Sequence, residues 1–267
     1  MATITKISAQ KRPGRYNIFL DEQYAFPVSE EVLIKYGLRK GIVLDEAAQD
    51  ELKKADADTQ AYQLALSYLS YQLRTVKEMT DYLRDHDVSA DTAADVIARL
   101  QKQGYMDDGE YARAYIRTNM RLSLKGPAVL AQELKRRGIR DQNQLEDALL
   151  QYDQATLIEN GTKLAQQVWQ RQHNLSGYAR QQKARQALQT KGYRGDDLQL
   201  FWADLDFELD AEEEDSALTL AAQKAARHYR PLTERKQLQK FKQALMRKGF
   251  NFDQINGWLD EHLDELD

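Results

Sequence analysis

Leu134-Lys135-Arg136-Arg137-Gly138-Ile139, Leu188-Gln189-Thr190-Lys191-Gly192-Tyr193 and Leu245-Met246-Arg247-Lys248-Gly249-Phe250 share one pattern: a Leu, three mostly polar residues, a Gly and an apolar residue. Leu83-Arg84-Asp85-His86-Asp87-Val88 is a weaker first copy, and successive copies are 51, 54 and 57 residues apart. A period of this size marks a supersecondary unit used several times. Each copy has a hydroxyl residue eight to twelve positions before its Leu, at Thr75, Ser123, Ser176 and Thr233. Such a side chain accepts from the open N–H groups of a first helical turn, and Thr75-Val76-Lys77-Glu78 also fits the reciprocal capping box. The pattern therefore predicts a second helix in every unit, running from the hydroxyl residue to the Gly, where a left-handed C-cap costs little.

Working outward, a first helix is expected before each of these (Ala61–Leu73, Tyr111–Arg121, Thr162–Gln172, Ala217–Tyr229) and a third after it (Ser89–Gln103, Asp141–Tyr152, Asp196–Asp206, Asp253–Leu266). The N-terminal 45 residues read differently. Tyr16, Ile18 and Leu20, then Tyr24, Phe26 and Val28, alternate with other residues across Asp21-Glu22-Gln23, the signature of a hairpin. Pro13-Gly14 marks a turn from an earlier strand near residues 3–9, and Ser29-Glu30-Glu31 starts a helix that stops near Gly37. The expected fold is mainly α: tandem three-helix repeats forming an elongated curved body, behind a small three-stranded β cap. The segments are 1–45 (cap), 46–60 (connecting), and 61–107, 108–158, 159–213 and 214–267 (repeats one to four).

Composition narrows the function. The chain has 267 residues, 42% hydrophobic and 30% charged, with no Cys. The absence of Cys excludes a disulfide scaffold, thiol catalysis, iron–sulfur ligation and thiolate zinc, and suits a reducing cytosol. No apolar run approaches the roughly 18 residues of a membrane span, and the first residues lack a secretory apolar stretch, so a cytoplasmic protein with no membrane contact is expected. The charge is arranged in blocks. Residues 113–140 carry eight Lys/Arg against Glu133 alone, 163–194 seven and no acid, and 216–250 nine against Glu234. Between and after the last two, residues 195–215 hold ten Asp/Glu and 251–267 six, with no base in either. A solvated surface normally mixes the signs. The basic blocks cover first and second helices; the acidic ones cover third helices.

Candidate binding residues come from those blocks. Arg113, Arg117 and Arg121 form one stripe, and like charges at this spacing oppose each other by about 0.2–0.5 kcal/mol per pair. An acidic partner accounts for the stripe; so does a solvated face, or pairing with acidic third helices. Lys135, Arg136 and Arg137 precede a helix-ending Gly, where the dipole favours cations whether or not they bind anything. Lys125 stands before Gly126-Pro127, where N–H groups of a starting helix and the ammonium could receive an anion together. Arg180 and Lys183 belong to the acid-free block. Asp107 and Asp108 sit where a helix begins and read as structural. Trp169, Trp202 and Trp258 occupy apolar helix positions and read as core. The four His (86, 173, 228, 262) show no metal or catalytic spacing, and no phosphate-cradling loop or nucleophile elbow appears. Neither a cofactor nor a metal is expected, nor catalysis.

The run Leu100-x3-Gly104-Tyr105-Met106-Asp107-Asp108-x2-Tyr111-Ala112, with Ala65-Leu66-Ser67-Tyr68-Leu69, Glu78-Met79, Lys125-Gly126-Pro127 and Glu133-Leu134-x2-Arg137-Gly138-Ile139, resembles the RecX regulatory family. The specific part of the match is residues 62–139. Thr75 stands where the family usually has Ser, which keeps the cap chemistry, and the β-rich N-terminus looks like that of Gram-positive members. The resemblance implies a non-enzymatic protein that binds the RecA filament, in its helical groove, and limits filament growth or promotes its disassembly; a monomer is expected. It would thereby restrain recombination, DNA repair and the SOS response. A weak DNA contact would accompany this. The competing reading is a direct DNA-binding helical-repeat protein, since three-helix units with a Gly turn resemble helix-turn-helix modules.

Overall fold

The structure is a computed structural model that describes residues 1–262. It falls into two compact units, one made of Met1–Ala112 and Leu134–Leu145, the other of Arg113–Glu133 and the chain from Glu146 onward.

In the first unit, β1 (Ala2–Ala9), β2 (Arg15–Leu20), β3 (Gln23–Ser29) and β4 (Val43–Leu44) form an antiparallel sheet in the order β3-β2-β1-β4. The two-residue β4 adds a strand to the three expected. Alternation puts Ile18, Leu20, Phe26 and Val28 inside, with Ile4 from β1. The helix α1 (Glu30–Lys35) starts at Ser29, whose Oγ accepts from Val32 N at 3.3 Å. The connecting segment and the expected first helix are one 24-residue helix, α2 (Glu46–Leu69). Leu52 lies in the core of the cap, while Ala61 and Ala65 lie in that of the first repeat. Asp56, on the same helix, is buried and accepts from Arg15 Nη1 at 2.8 Å on both oxygens and from Ser29 N at 2.6 Å. A buried carboxylate thus ties α2 to β2 and β3.

The remaining helices are α3 (Val76–Arg84), α4 (Ala90–Lys102), α5 (Asp108–Leu122), α6 (Pro127–Arg136), α7 (Gln142–Leu149), α8 (Gln154–Gln170), α9 (Gly177–Thr190), α10 (Gly195–Gln199), α11 (Ala211–Tyr229), α12 (Arg235–Met246) and α13 (Phe252–His262). They form four successive three-helix repeats, the first sharing α2 with the cap. The Leu of each pattern (Leu83, Leu134, Leu188, Leu245) is fully buried. Asp87, Gly138, Gly192 and Gly249 all have positive φ, as a left-handed helix end requires.

The caps follow the expectation only in part. Thr75 makes the full capping box, and Ser176 Oγ accepts from Ala179 N. Ser123 instead lies in the connection before α6, its Oγ donating to Asn119 O at 2.8 Å, because Pro127 sets the start of that helix. Thr233 is displaced by Glu234 as the N-cap of α12, after the buried Leu232 anchors the preceding turn. The third helix of repeat three is also shorter than expected. It stops at Gln199, Phe201 leaves helical geometry, and a 3-10 turn covers Trp202–Asp204. Phe201 and Phe207 are both buried, and the Phe201 ring rests against Gly161 of α8. The last expected helix begins as predicted; its end at Leu266 lies outside the described residues. Trp258 is core, but Trp169 and Trp202 are half-buried, stacked and edge-on respectively against Phe207.

Neighbouring repeats meet through one device. The Gly-ended C-terminus of a second helix abuts the N-terminus of the second helix one repeat earlier. Thr75 Oγ1 donates to Arg137 O at 2.8 Å; Gly126 N and Ala128 N donate to Lys191 O and Gly192 O at 2.7 and 3.2 Å; Ser176 N donates to Lys248 O at 3.1 Å. Open N–H groups, or at the first junction the N-cap hydroxyl, meet open carbonyls, so each helix end is satisfied by its opposite. The Lys125-Gly126-Pro127 run has its explanation here. Gly126 lets the two backbones touch, and Pro127 occupies the position whose N–H would have no partner.

Candidate interaction surface

Helix α5 is placed by its first turn. Asp107 Oδ1 accepts from Gly109 N and Glu110 N at 2.7 and 3.0 Å, and Asp108 Oδ1 reaches across to accept from Val76 N, at the start of α3, at 2.9 Å. Both acids are structural, and burial raises the pKa of Asp108. The Arg stripe of α5 faces residues 147–151. Arg113 Nη1 lies 2.7 Å from Asp147 Oδ2, and Arg117 Nη1 donates to Gln151 Oε1 at 3.5 Å. Part of the stripe is therefore matched from within, by the third helix of its own repeat. Arg121, at the end of α5, is exposed and has no ion pair among the described residues.

Lys125 Nζ sits 2.8 and 3.0 Å from the two Glu133 oxygens, and Tyr115 OH donates to the same carboxylate at 2.8 Å. The expected anion pocket beside Lys125 is already filled, because the N–H groups of Gly126 and Ala128 hold the carbonyls of Lys191 and Gly192. Arg137 Nη1 bonds Glu78 Oε1 and Tyr111 OH at 2.8 and 2.9 Å, bracing the junction that Thr75 makes. Arg180 is buried. Its guanidinium donates to Leu175 O and His173 O, both at 2.9 Å, and faces the Trp169 ring. Loss of hydration lowers its pKa. Arg180 holds the α8–α9 loop, a role that only tertiary structure reveals. Lys135, Arg136 and Lys183 are exposed and have no ion pair among the described residues.

The nine candidates thus divide. Arg113, Arg117, Lys125, Arg137 and Arg180 are engaged inside the protein; Arg121, Lys135, Arg136 and Lys183 point to solvent. Sequence reasoning missed Asp56. It also missed a column on the first repeat in which Arg74 lies 3.9 Å from the Tyr68 ring, Tyr68 stacks on Tyr82 at 3.8 Å, and His86 follows at 4.2 Å. The i, i+4 spacing of Tyr82 and His86 was the available signal for half of that column. A groove of about 970 Å³ opens between the Arg12–Arg15 turn, α2 and the turn after α3, with charges of both signs from Arg12, Glu30, Glu31 and Asp87. Among the described residues, no group of three or more His, Asp or Glu is arranged to hold a metal, and no helix is long and apolar enough to cross a membrane.

Comparison with known proteins covers almost the whole chain. Residues 2–45 match the model of the regulatory protein RecX N-terminal domain, 61–100 the first three-helix domain of RecX and 107–148 the second. The third three-helix domain matches twice, at 157–201 and 212–259, so repeats three and four are two versions of one unit. A protein of Levilactobacillus brevis named regulatory protein RecX is 42% identical over 259 residues, 97% of each chain. One of Bacillus pumilus with the same name is 39% identical over 264 residues, 98% of this chain and 99% of that one. Two crystal structures are similar, each at 39% identity. One, of a regulatory protein RecX, has a TM-score of 0.68 and covers 76% of this chain and 100% of its own; RecX from Lactobacillus salivarius has a TM-score of 0.54 and covers 58% and 99%.

Proposed function

The chain belongs to the RecX family of regulatory proteins, and on that premise we propose that it binds the RecA filament, inhibits its growth and activities, and so modulates recombination, DNA repair and the SOS response in the cytoplasm. In this reading it is a monomeric binding protein and not an enzyme. One observation carries the placement of the contact: Arg121, Lys135, Arg136 and Lys183 stay exposed and unneutralised while their neighbours in sequence are paired internally. Cations left in this state favour an anionic partner surface and speed its encounter. A helix-turn-helix reading has less support, because the third helix that would enter a groove is five residues long in repeat three and carries Asp196 and Asp197 in its first turn.

The test reverses only exposed charges that form no ion pair among the described residues. Arg121→Glu, Lys135→Glu and Arg136→Glu combined should raise the concentration needed to inhibit RecA-dependent ATP hydrolysis by roughly tenfold, equivalent to about 1.4 kcal/mol. Helix content should be unchanged, since all three side chains are exposed, and melting should fall only by the end effect of the two cations in the last turn of α6, about 0.3–1 kcal/mol each. A folded triple variant that inhibits as well as the parent would reject this placement.

A further inference from the structure

A strand at the edge of a sheet presents unpaired N–H and C=O groups to whatever lies beside it. The sheet of the cap has two edges, and they are finished differently. On β3, Ser29 N donates to the buried Asp56 carboxylate, and Pro27, two residues earlier and turned the same way, has no N–H to offer. The other edge belongs to β1. Its neighbour there, β4, pairs only with Ala2 and Thr3, after which Ile4 bonds Ile42 O and Gly41 N, both at 2.8 Å.

Beyond Ile4 that edge is bare. Gln10 N donates to Arg15 O at 2.8 Å, so Gln10, and with it Ser8 and Lys6, turn their backbone groups toward β2. Ile7 and Ala9 therefore turn theirs outward, where no strand or loop among the described residues bonds them. The bulge between Ile4 and Lys6 sets this alternation. Charge along the edge has one sign. Residues 1–20 hold four bases and no acid. Arg15 is paired with Asp56, while Lys6, Lys11 and Arg12 are exposed. Arg39 and Lys40, in the connection whose Gly41 bonds Ile4, are exposed as well. Asp21 and Glu22 lie toward the other end of β1, where Thr3 N donates to Asp21 Oδ1 and Glu22 N to Thr5 Oγ1.

We propose that the edge of β1 at residues 5–10 takes up an extended acidic segment of a partner protein as an added strand. Main-chain bonds to Ile7 and Ala9 supply the pairing, and carboxylates along the segment meet Lys6, Lys11 and Arg12. Lys on an edge strand ordinarily keeps copies of a sheet from joining. The same charge that repels a second β1 draws an acidic strand, so the edge is selective and not merely protected. A phosphate backbone would satisfy the cations but carries no donors for Ile7 O and Ala9 O.

The partner is defined by its chemistry, and the inference stands or falls apart from RecA. The test uses the full chain and short labelled peptides: one alternating Glu with Val, one alternating Lys with Val, and the Glu peptide N-methylated throughout. Fluorescence anisotropy at low salt should show the Glu peptide binding, more weakly as salt rises, and the Lys peptide not binding. N-methylation removes the donors and keeps the charge, and should weaken binding at least tenfold. By hydrogen-exchange NMR the Ile7 and Ala9 amides should gain protection with the Glu peptide, while that of Ser8, turned toward β2, stays as it was. Ala9→Pro removes an outward N–H from an exposed position and no ladder bond, and should weaken binding about tenfold. Lys6→Gln, Lys11→Gln and Arg12→Gln combined should do the same and flatten the salt dependence. No binding of the Glu peptide at low salt, or equal binding of its N-methylated form, would overturn the proposal. So would protection of Ile7 and Ala9 that grows with the concentration of the chain alone, which would assign the edge to a second copy.

Discussion

Gly192→Ala is expected to destabilise the protein by about 2–5 kcal/mol, combining about 1–2 kcal/mol for a side chain in left-handed backbone with about 1–3 kcal/mol for overpacking. Gly192 has φ +95°, and a Cβ there would fall 2.5 Å from the backbone N of Val129 and 2.9 Å from its Cβ. The obstacle is the first turn of α6, which cannot retreat without giving up its bonds to Lys191 O and Gly192 O. Gly104→Ala is the comparison, since Gly104 has φ +75° with open space where a Cβ would stand. It should lose only the backbone part, about 1–2 kcal/mol. Urea or thermal melts of the two variants side by side measure the difference, and equal losses would mean that the helix-end contact between repeats contributes nothing.

Asp56→Ala is the second large effect, at about 3–5 kcal/mol, the cost of removing one partner from a buried ion pair. Asp56 is 4% exposed, and its loss would strand the Arg15 guanidinium and the Ser29 N–H at the contact between the sheet and α2. Arg15→Met with Asp56→Leu should recover the part of the loss that comes from the unpaired charge, leaving about 1–3 kcal/mol for the stranded Ser29 N–H. Equal stability of the Asp56→Ala variant and the parent would contradict this. A double variant no better than the single one would show that shape, not charge, is what Asp56 supplies.

The repeat was legible because the Leu and Gly of its pattern serve purely local needs: a buried helical position and a left-handed end. Even the weak copy kept that geometry, with Asp87 at φ +60°. What was hidden depends on contacts distant in sequence. The sequence places Arg113 and Asp147 thirty-four residues apart, and only the packing of α5 beside α7 makes them a pair. Arg180 reads as one more base in a basic block until its guanidinium is seen holding the carbonyls of the loop before it. Ser123 and Thr233 failed as caps because Pro127 and Leu232 imposed stronger constraints nearby. The separation of charge into blocks was readable from the start. That it survives folding unneutralised in the C-terminal repeats, but not along α5, was not.

Titration of the protein into preformed RecA filaments on single-stranded DNA, followed by the rate of ATP hydrolysis, tests the central reading most directly. Hydrolysis should fall progressively and be suppressed at substoichiometric to equimolar ratios of protein to RecA, with the effect weakening as salt screens the exposed bases. An unchanged rate at equimolar protein would contradict the account.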